Sequence, residues 1–226
     1  MDNDFLLNIS QIIDISCVKS NHTLEEIDKM IAAARKYQFI CAFALPSFTP
    51  HLLEKLKDEP NIKVGGAVGF PSGGDTTEAK VFQAKELIAM GCNELDMVMN
   101  ITHLKSQNYQ TVFNDIKAVV DAAGKAPVKA ILEVTVLTNE EIVKASNIAV
   151  EAGVSYVKTG TGWMNKPTTV DHIRLINETI KNKAKIKAAG GIKDLDTLIT
   201  MAKAGCSRFG LGLNSAISII EKAMQY

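Results

Sequence analysis

The sequence predicts a single (β/α)8 barrel that occupies residues 1–226, and three observations support that fold class. Eight short apolar runs suited to strands alternate with amphipathic stretches suited to helices. Residues typical of helix starts and helix ends separate the two kinds of segment. The length is that of one barrel, which needs about 200–250 residues.

The predicted strands are short and apolar, as strands of a buried parallel sheet are. In chain order they are Ile12–Cys17, Phe39–Leu45, Lys63–Phe70, Glu94–Asn100, Val128–Thr135, Ser155–Thr161, Lys185–Gly191 and Arg208–Gly212. An open, doubly wound sheet is the alternative arrangement of such a repeat. However, no Gly-x-Gly-x-x-Gly turn follows the first strand, so the pattern favours the barrel.

The predicted helices begin and end at recognisable residues. Thr23–Glu26 and Thr138–Glu141 both fit the capping box, in which a Ser or Thr is followed three residues later by Glu. Gly91, Gly153 and Gly205 each stand shortly before a predicted strand, where glycine commonly ends a helix. The alternation of strand and helix therefore has chemical boundaries as well as hydrophobic periodicity.

Composition excludes several classes of partner. Lys plus Arg and Asp plus Glu are both 25, so no net charge suggests nucleic acid or an anionic membrane. No apolar stretch is long enough to span a bilayer. We expect reduced thiols in a cytoplasmic protein, with no metal and no cofactor, because no Cys-x-x-Cys pair or zinc-like His spacing accompanies the four scattered cysteines, Cys17, Cys41, Cys92 and Cys206.

Two lysines stand inside predicted buried strands, Lys158 in the sixth and Lys187 in the seventh. Lysine is rarely buried without a partner. Burial and a neighbouring like charge both lower the pKa of an ammonium group, and the resulting neutral amine attacks carbonyl carbons. The structural alternative is that both lysines close strand ends and extend to water.

Strand parity places further ionisable groups beside these lysines. Because alternate residues of a strand face opposite sides, Asp14, Asp96 and Glu133 are predicted to face the barrel interior together with Lys158 and Lys187. A barrel interior is normally filled by branched apolar side chains. Any one of these carboxylates is explained by a structural ion pair, but five convergent ionisable groups favour catalysis.

At these residues the chain resembles the deoxyribose-phosphate aldolase family, the class I aldolases of deoxynucleoside catabolism. The resemblance runs nearly from end to end, through motifs that occur in the family's order: Ile13-Asp14, Gly69–Gly73, Asn93–Val98, Val157–Gly162, Lys187–Lys193 and Arg208–Gly210. It implies a barrel lyase that cleaves 2-deoxy-D-ribose 5-phosphate to glyceraldehyde 3-phosphate and acetaldehyde, with no cofactor.

The resemblance also assigns roles. It implies that Lys158 forms the Schiff base, that Lys187 lowers the pKa of Lys158, that Asp96 takes part in proton transfer and that Asp14 helps to position the substrate. The expected partner is a small-molecule sugar phosphate, and a homodimer through the outer helices is compatible with a barrel of this kind.

The phosphate end of the site departs from the family pattern. Gly160 replaces a serine two residues after Lys158, and the last strand continues as Gly210–Ser215, where the family has consecutive serines. We expect the phosphate to bind backbone amides in the loops after strands seven and eight, at Gly190, Gly191, Gly210 and Gly212.

Two alternatives follow from these departures. One is a related Schiff-base aldolase that acts on a different sugar or aldehyde, including one without a phosphate. The other is a non-catalytic barrel that binds sugar phosphates, which the retained lysine pair disfavours.

Overall fold

The computed structural model describes residues 3–225, and it confirms the predicted closed barrel of eight parallel strands. The strands are β1 Ile13–Cys17, β2 Cys41–Ala44, β3 Lys63–Val68, β4 Glu94–Val98, β5 Val128–Ile131, β6 Tyr156–Lys158, β7 Lys185–Ala189 and β8 Arg208–Gly212. They pair in chain order, and β8 closes the barrel against β1 with Gly210 opposite Asp14. Residues 1, 2 and 226 of the predicted domain lie outside the described residues.

Helices lie between the strands and at both ends of the described chain. They are α1 Asn3–Leu7, α2 Leu24–Tyr37, α3 Thr49–Leu56, α4 Thr77–Met90, α5 Ile101–Lys105, α6 Tyr109–Ala123, α7 Asn139–Glu151, α8 Val170–Ile180, α9 Leu195–Lys203 and α10 Leu213–Ala223. Within residues 3–225, none of them combines the length and the apolar composition needed to cross a bilayer.

Both predicted capping boxes form. The Thr23 hydroxyl accepts a hydrogen bond from the Glu26 backbone N–H, and the Glu26 carboxylate accepts one from the Thr23 N–H at 2.7 Å. Thr138 and Glu141 make the same reciprocal pair at the start of α7. Each pair satisfies two backbone donors that an α-helix leaves unbonded, so the helix begins at a defined distance from the preceding strand.

The apolar core lies between the strands and the surrounding helices. The side chains predicted to face outward, among them Leu95 and Met97 of β4, Ala130 of β5 and Val157 of β6, are fully buried there. Because alternate residues of each strand point the other way, the opposite parity fills the barrel interior. The interior is therefore available for polar groups.

Every strand except β8 is shorter than predicted, and β5 and β6 differ most. β5 ends at Ile131 and β6 at Lys158, whereas the apolar pattern predicts continuation to Thr135 and Thr161. Glu133 takes the left-handed conformation, with φ of 59°, and a short 3₁₀ helix follows over Val134–Val136. The chain thus leaves the sheet early at the carboxyl ends of these two strands and continues as loops.

Candidate active site

A cavity of about 500 Å³ opens at the carboxyl ends of the strands. The residues that follow β1, β3, β6, β7 and β8 form its walls, as is usual for the active sites of (β/α)8 barrels. Every predicted site residue lines it: Asp14, Asp96, Lys158, Lys187, Gly190, Gly191, Gly210 and Gly212. The structure therefore brings together residues that lie as much as 198 positions apart in the sequence, from Asp14 to Gly212.

Two lysines share one carboxylate oxygen at the base of this cavity. Lys158 Nζ donates a hydrogen bond to Asp96 Oδ2 at 2.7 Å, and Lys187 Nζ donates to the same oxygen at 2.6 Å. Lys187 also pairs with Asp14 Oδ2 at 2.5 Å. Lys187 is 1% exposed and Lys158 is 7% exposed. Of the two amines, that of Lys158 is thus the one more open to the cavity.

Lys187 and Asp96 belong to a closed ring of alternating charges, here called the ionic ring, which consists of Asp14, Lys187, Asp96, Lys129, Glu94 and Arg208. Beyond Asp96, Lys129 Nζ lies 3.0 Å from Asp96 Oδ1 and 2.5 Å from Glu94 Oε2. Arg208 closes the ring, with Nη2 2.8 Å from Glu94 Oε1 and Nε 2.5 Å from Asp14 Oδ1. Each member therefore has two neighbours of opposite charge.

Lys158 stands outside the ionic ring and adds a fourth cation to three cations and three carboxylates. Burial lowers the pKa of the Lys158 ammonium to about 8; Asp96 opposes this shift, and Lys187 reinforces it. Losing the Lys158 proton leaves the buried cluster with equal numbers of positive and negative charges. A neutral amine at Lys158 is thus available near physiological pH.

Asp96 is held ionised in the same cluster. Burial alone would raise the pKa of this carboxyl, but the ammonium groups of Lys129, Lys158 and Lys187 outweigh burial and hold the pKa well below its usual range. Asp96 therefore faces Lys158 as a carboxylate, able to accept a proton and return it.

Half of the ionic ring is not among the site residues predicted from the sequence. Strand parity predicts that Glu94 and Lys129 face inward, and Arg208 belongs to one of the family motifs, but these signals alone do not place the three residues together. The signal was present, because Arg208 shares its strand parity with Gly210. An inward-facing arginine on β8 is as unusual in a barrel interior as the two lysines.

Glu133 does not join the ionic ring, although its parity suggested convergence with the other ionisable groups. Its carboxylate is 1% exposed and accepts hydrogen bonds from the Thr161 backbone N–H, at 3.1 Å, and from the Thr161 hydroxyl. A Cβ at Gly160 would stand 2.8 Å from Glu133 Oε1. Glu133 thus shapes the loop after β6, and Gly160 leaves room for it.

An aromatic ring covers two cations of the ionic ring. The Phe43 ring centroid lies 4.4 Å from Lys187 Nζ and 5.3 Å from Lys129 Nζ, within the range of cation–π attraction. Phe43 extends across Gly65 of β3, where a Cβ would stand 2.0 Å from the tip of the ring. The glycine is needed because the phenyl group occupies the space of its side chain.

The start of α10 forms another part of the cavity wall, beyond the lysines and carboxylates at the base. Gly212 is the N-cap residue of this helix, and it has no side chain to accept a hydrogen bond from the first backbone N–H groups. Gly212 and Ser215 both line the cavity. The first backbone N–H groups of a helix have no intrahelical acceptor and carry partial positive charge, so this end of the cavity suits an anion.

Fold and site together define a barrel enzyme with a lysine amine beside a carboxylate in its cavity. Residues 12–215 match the family model described as DeoC/LacD family aldolase. The chain is 42% identical over 215 residues to the deoxyribose-phosphate aldolase of Sinorhizobium medicae, an alignment that covers 95% of this chain and 87% of that protein. It therefore belongs to the DeoC/LacD family of aldolases.

Other similar proteins are also named as aldolases. The deoxyribose-phosphate aldolase of an Exiguobacterium species is 39% identical, over 93% of this chain and 96% of that protein. A solved structure described as QR15, an aldolase, matches with a TM-score of 0.90 at 33% identity over 96% of each chain. The deoxyribose phosphate aldolase of Aeropyrum pernix, described as tetrameric, matches with a TM-score of 0.85 at 26% identity, over 96% of this chain and 91% of that one.

Proposed function

We propose that this protein is a class I deoxyribose-phosphate aldolase, which cleaves 2-deoxy-D-ribose 5-phosphate to glyceraldehyde 3-phosphate and acetaldehyde through a Schiff base on Lys158. The observation that carries this proposal is the Lys158 amine, which faces the cavity 2.7 Å from Asp96. Burial and neighbouring cations favour its neutral, nucleophilic form. The two curated relatives described above are named for the same activity.

In the cleavage direction, the Lys158 nitrogen attacks C1 of the open-chain sugar and forms a carbinolamine. Loss of water from this adduct gives an iminium ion. The C3 hydroxyl then loses its proton, the C2–C3 bond breaks, and its electron pair moves towards the iminium nitrogen. These steps release glyceraldehyde 3-phosphate and leave an enamine. Protonation of the enamine at C2 and hydrolysis of the new iminium then release acetaldehyde and regenerate Lys158.

Asp96 and Lys187 have separate tasks in this cycle. Asp96 is the candidate acid–base group, because its carboxylate lies within hydrogen-bond reach of the nitrogen on which the adducts form. Lys187 pairs with Asp96 and Asp14 and supplies the like charge that disfavours protonation of Lys158. Asp14, which is held by both Lys187 and Arg208, lines the cavity in a position to orient the substrate.

The phosphate is proposed to bind at the start of α10 and in the loop after β7. Gly190, Gly191 and Gly212 line this end of the cavity, and with no side chains their backbones are open to close approach by a ligand. Gly210 contributes in another way, because a Cβ there would stand 3.2 Å from Lys187 Cε. It leaves the space that the Lys187 side chain uses.

Cleavage of 2-deoxyribose 5-phosphate, measured beside cleavage of 2-deoxyribose, tests the function directly. We expect a much higher kcat/KM for the phosphate ester and competitive inhibition by inorganic phosphate. Equal values without such inhibition would favour the second candidate, an aldolase of unphosphorylated substrates. Leu211 on the cavity wall and the missing serines of the last strand are the observations that favour that candidate.

Gly212→Val is expected to raise KM for 2-deoxyribose 5-phosphate far more than it lowers kcat. The valine has room, because, apart from Gly212 itself and its two chain neighbours, no described residue has an atom within 4 Å of the Cβ position. Its side chain therefore occupies cavity space instead of disturbing the fold. Binding lost equally in the ground and transition states changes KM alone. The matched measurement is 2-deoxyribose cleavage, whose KM should change little. An unchanged KM for the phosphate ester would remove Gly212 from the phosphate site.

Lys187→Leu is expected to move the rising limb of the pH–rate profile to higher pH. The pKa of Lys158 is depressed to about 8, and removing a neighbouring cation takes away part of that depression. Activity is therefore lost near neutral pH and recovered as the pH rises above the new pKa. The profile of kcat/KM against pH checks this. If the rising limb of Lys187→Leu stays at the pH found for the wild type and turnover is normal, Lys187 has a purely structural role.

We also propose that residues 1–226 form one domain, that the enzyme is cytoplasmic and that it assembles as a homodimer. The family model spans most of this range, at residues 12–215. All four cysteines are free and buried, which fits a reducing compartment. Size-exclusion chromatography with light scattering tests the dimer against a monomer and against the tetramer described for the Aeropyrum pernix relative.

A further inference from the structure

Three members of the ionic ring lie below the cavity. Glu94, Lys129 and Arg208 are 1%, 0% and 4% exposed, and they are not among the described residues that line the cavity. A substrate in the cavity can therefore reach Asp14, Asp96, Lys158 and Lys187, but not these three residues. Burying charged groups is costly, and pairing them offsets that cost only when the geometry is good. We therefore ask what these three residues contribute to the site above them.

Arg208 contacts Asp14, whereas Lys129 is the member of this group that contacts Asp96, the candidate acid–base residue. Lys129 lies 3.0 Å from Asp96 Oδ1, while Lys158 and Lys187 occupy Asp96 Oδ2. Asp96 Oδ1 thus pairs with one cation below the cavity, and Asp96 Oδ2 pairs with two cations at the cavity base. Rotation of the carboxylate about its terminal bond would break the contacts on both sides.

The surroundings of Lys129 keep it cationic. Burial alone would lower its pKa, but the carboxylates of Asp96, Asp14 and Glu94 outweigh burial and raise that pKa above its ordinary value. The titratable and charged groups that face this cluster from the neighbouring strands are Asp14 of β1, Cys41 of β2, Lys63 of β3, Glu94 and Asp96 of β4, Tyr156 and Lys158 of β6, Lys187 of β7 and Arg208 of β8.

We propose, on the basis of the Schiff-base function above, that Lys129 is a positioning residue which fixes the Asp96 carboxylate towards Lys158 and helps to keep the Lys158 amine unprotonated. It acts through Asp96 and through its own charge, without touching the substrate. Glu94 holds Lys129 in place at 2.5 Å, and the Phe43 ring lies over its ammonium group. The site thus uses two cations, Lys187 at the cavity base and Lys129 below it.

The test compares Lys129→Met and Lys129→Gln, which remove the charge, with Lys129→Arg, which keeps it. The readout is kcat/KM for retro-aldol cleavage from about pH 6 to about pH 10. We expect both neutral variants to move the rising limb up by about one pH unit, which lowers the rate at neutral pH about tenfold, and to lower the high-pH rate as well, because the Asp96 carboxylate is no longer held from below. Lys129→Arg should keep the limb near its wild-type position.

Lys80→Met is the matched control. Lys80 is also a fully buried lysine, paired with Asp115 at 2.6 Å, but the pair lies between α4 and α6, outside the barrel. Lys80→Met should lower the free energy of unfolding by an amount similar to that of Lys129→Met, without shifting the rising limb of the pH–rate profile. The proposal is overturned if a folded neutral variant at Lys129 shows the rising limb at the wild-type pH. It is also overturned if the limb of Lys129→Arg shifts as far as that of Lys129→Met.

A measurement on the wild-type enzyme can overturn the proposal even if the neutral variants do not fold. With ¹⁵N-labelled lysine side chains, the Lys129 signal should remain that of an ammonium group while Lys158 titrates. Titration of both lysines in the same pH range would overturn the proposal. Borohydride trapping of acetaldehyde on wild-type Lys158 separates the two hypotheses: absence of the adduct contradicts the Schiff-base function, whereas an adduct with an unshifted Lys129→Met profile contradicts only the role of Lys129.

Discussion

Lys158→Arg is expected to lose at least about three orders of magnitude in turnover, equivalent to about 4 kcal/mol in the activation barrier. Arginine keeps the positive charge and much of the length of lysine, so the ion pair with Asp96 at the base of the cavity is retained. Its guanidinium cannot form the iminium ion. The measurement is the rate of 2-deoxyribose 5-phosphate cleavage, with mass spectrometry of the borohydride-treated protein to detect the missing adduct.

Lys166→Arg is the control for this substitution. Lys166 is an exposed lysine on the cavity wall, and it should tolerate arginine with little change in turnover. If Lys158→Arg retained more than about a thousandth of wild-type turnover, the reaction would not depend on a Schiff base at this residue.

Asp96→Asn is expected to slow the exchange of solvent deuterium into the methyl group of acetaldehyde by about 10²–10⁴-fold, the usual contribution of a general acid–base group. This exchange needs only iminium and enamine formation, so it isolates proton transfer from carbon–carbon bond cleavage. The substitution does not act by protonating Lys158. Asp96 opposes the lowering of the Lys158 pKa, so its loss leaves that amine more, not less, deprotonated.

Asp115→Asn provides the comparison for this loss of a buried carboxylate. Asp115 is 1% exposed and pairs with Lys80 outside the barrel, so the variant also loses a buried ion pair, although Asp96 has three lysine partners and Asp115 has one. Its exchange rate should stay close to wild type once it is folded. Wild-type exchange in Asp96→Asn, followed by NMR in D₂O, would remove Asp96 from the mechanism.

Most of the fold was predictable because its signals are local. The capping box at Thr23–Glu26, for example, depends on residues only three positions apart, and it forms in the structure. Strand parity likewise placed Asp14, Asp96, Lys158 and Lys187 inside the barrel, and they meet at its centre. Parity works here because a strand alternates strictly between the two faces of the sheet.

The rest of the site depends on distances between strands, which the sequence does not contain. Parity points Glu94, Lys129 and Arg208 inward, but only the barrel shows that they close a ring with Asp14 and Asp96. The early ends of β5 and β6 were missed for a related reason. The left-handed turn at Glu133 is favoured by contacts with Thr161, a residue 28 positions away, whereas the apolar pattern alone favours a longer strand.

The contact between Phe43 and Gly65 constrains how this lineage changes over time. Any side chain at position 65 meets the phenyl ring, with a Cβ only 2.0 Å from its tip, so a mutation there is deleterious while the phenylalanine remains. Replacement of Phe43 by a smaller residue removes that barrier, but it also uncovers Lys187 and Lys129. The two positions are therefore coupled: a side chain at residue 65 fits in place once residue 43 is small, and with Phe43 present it requires the ring to move.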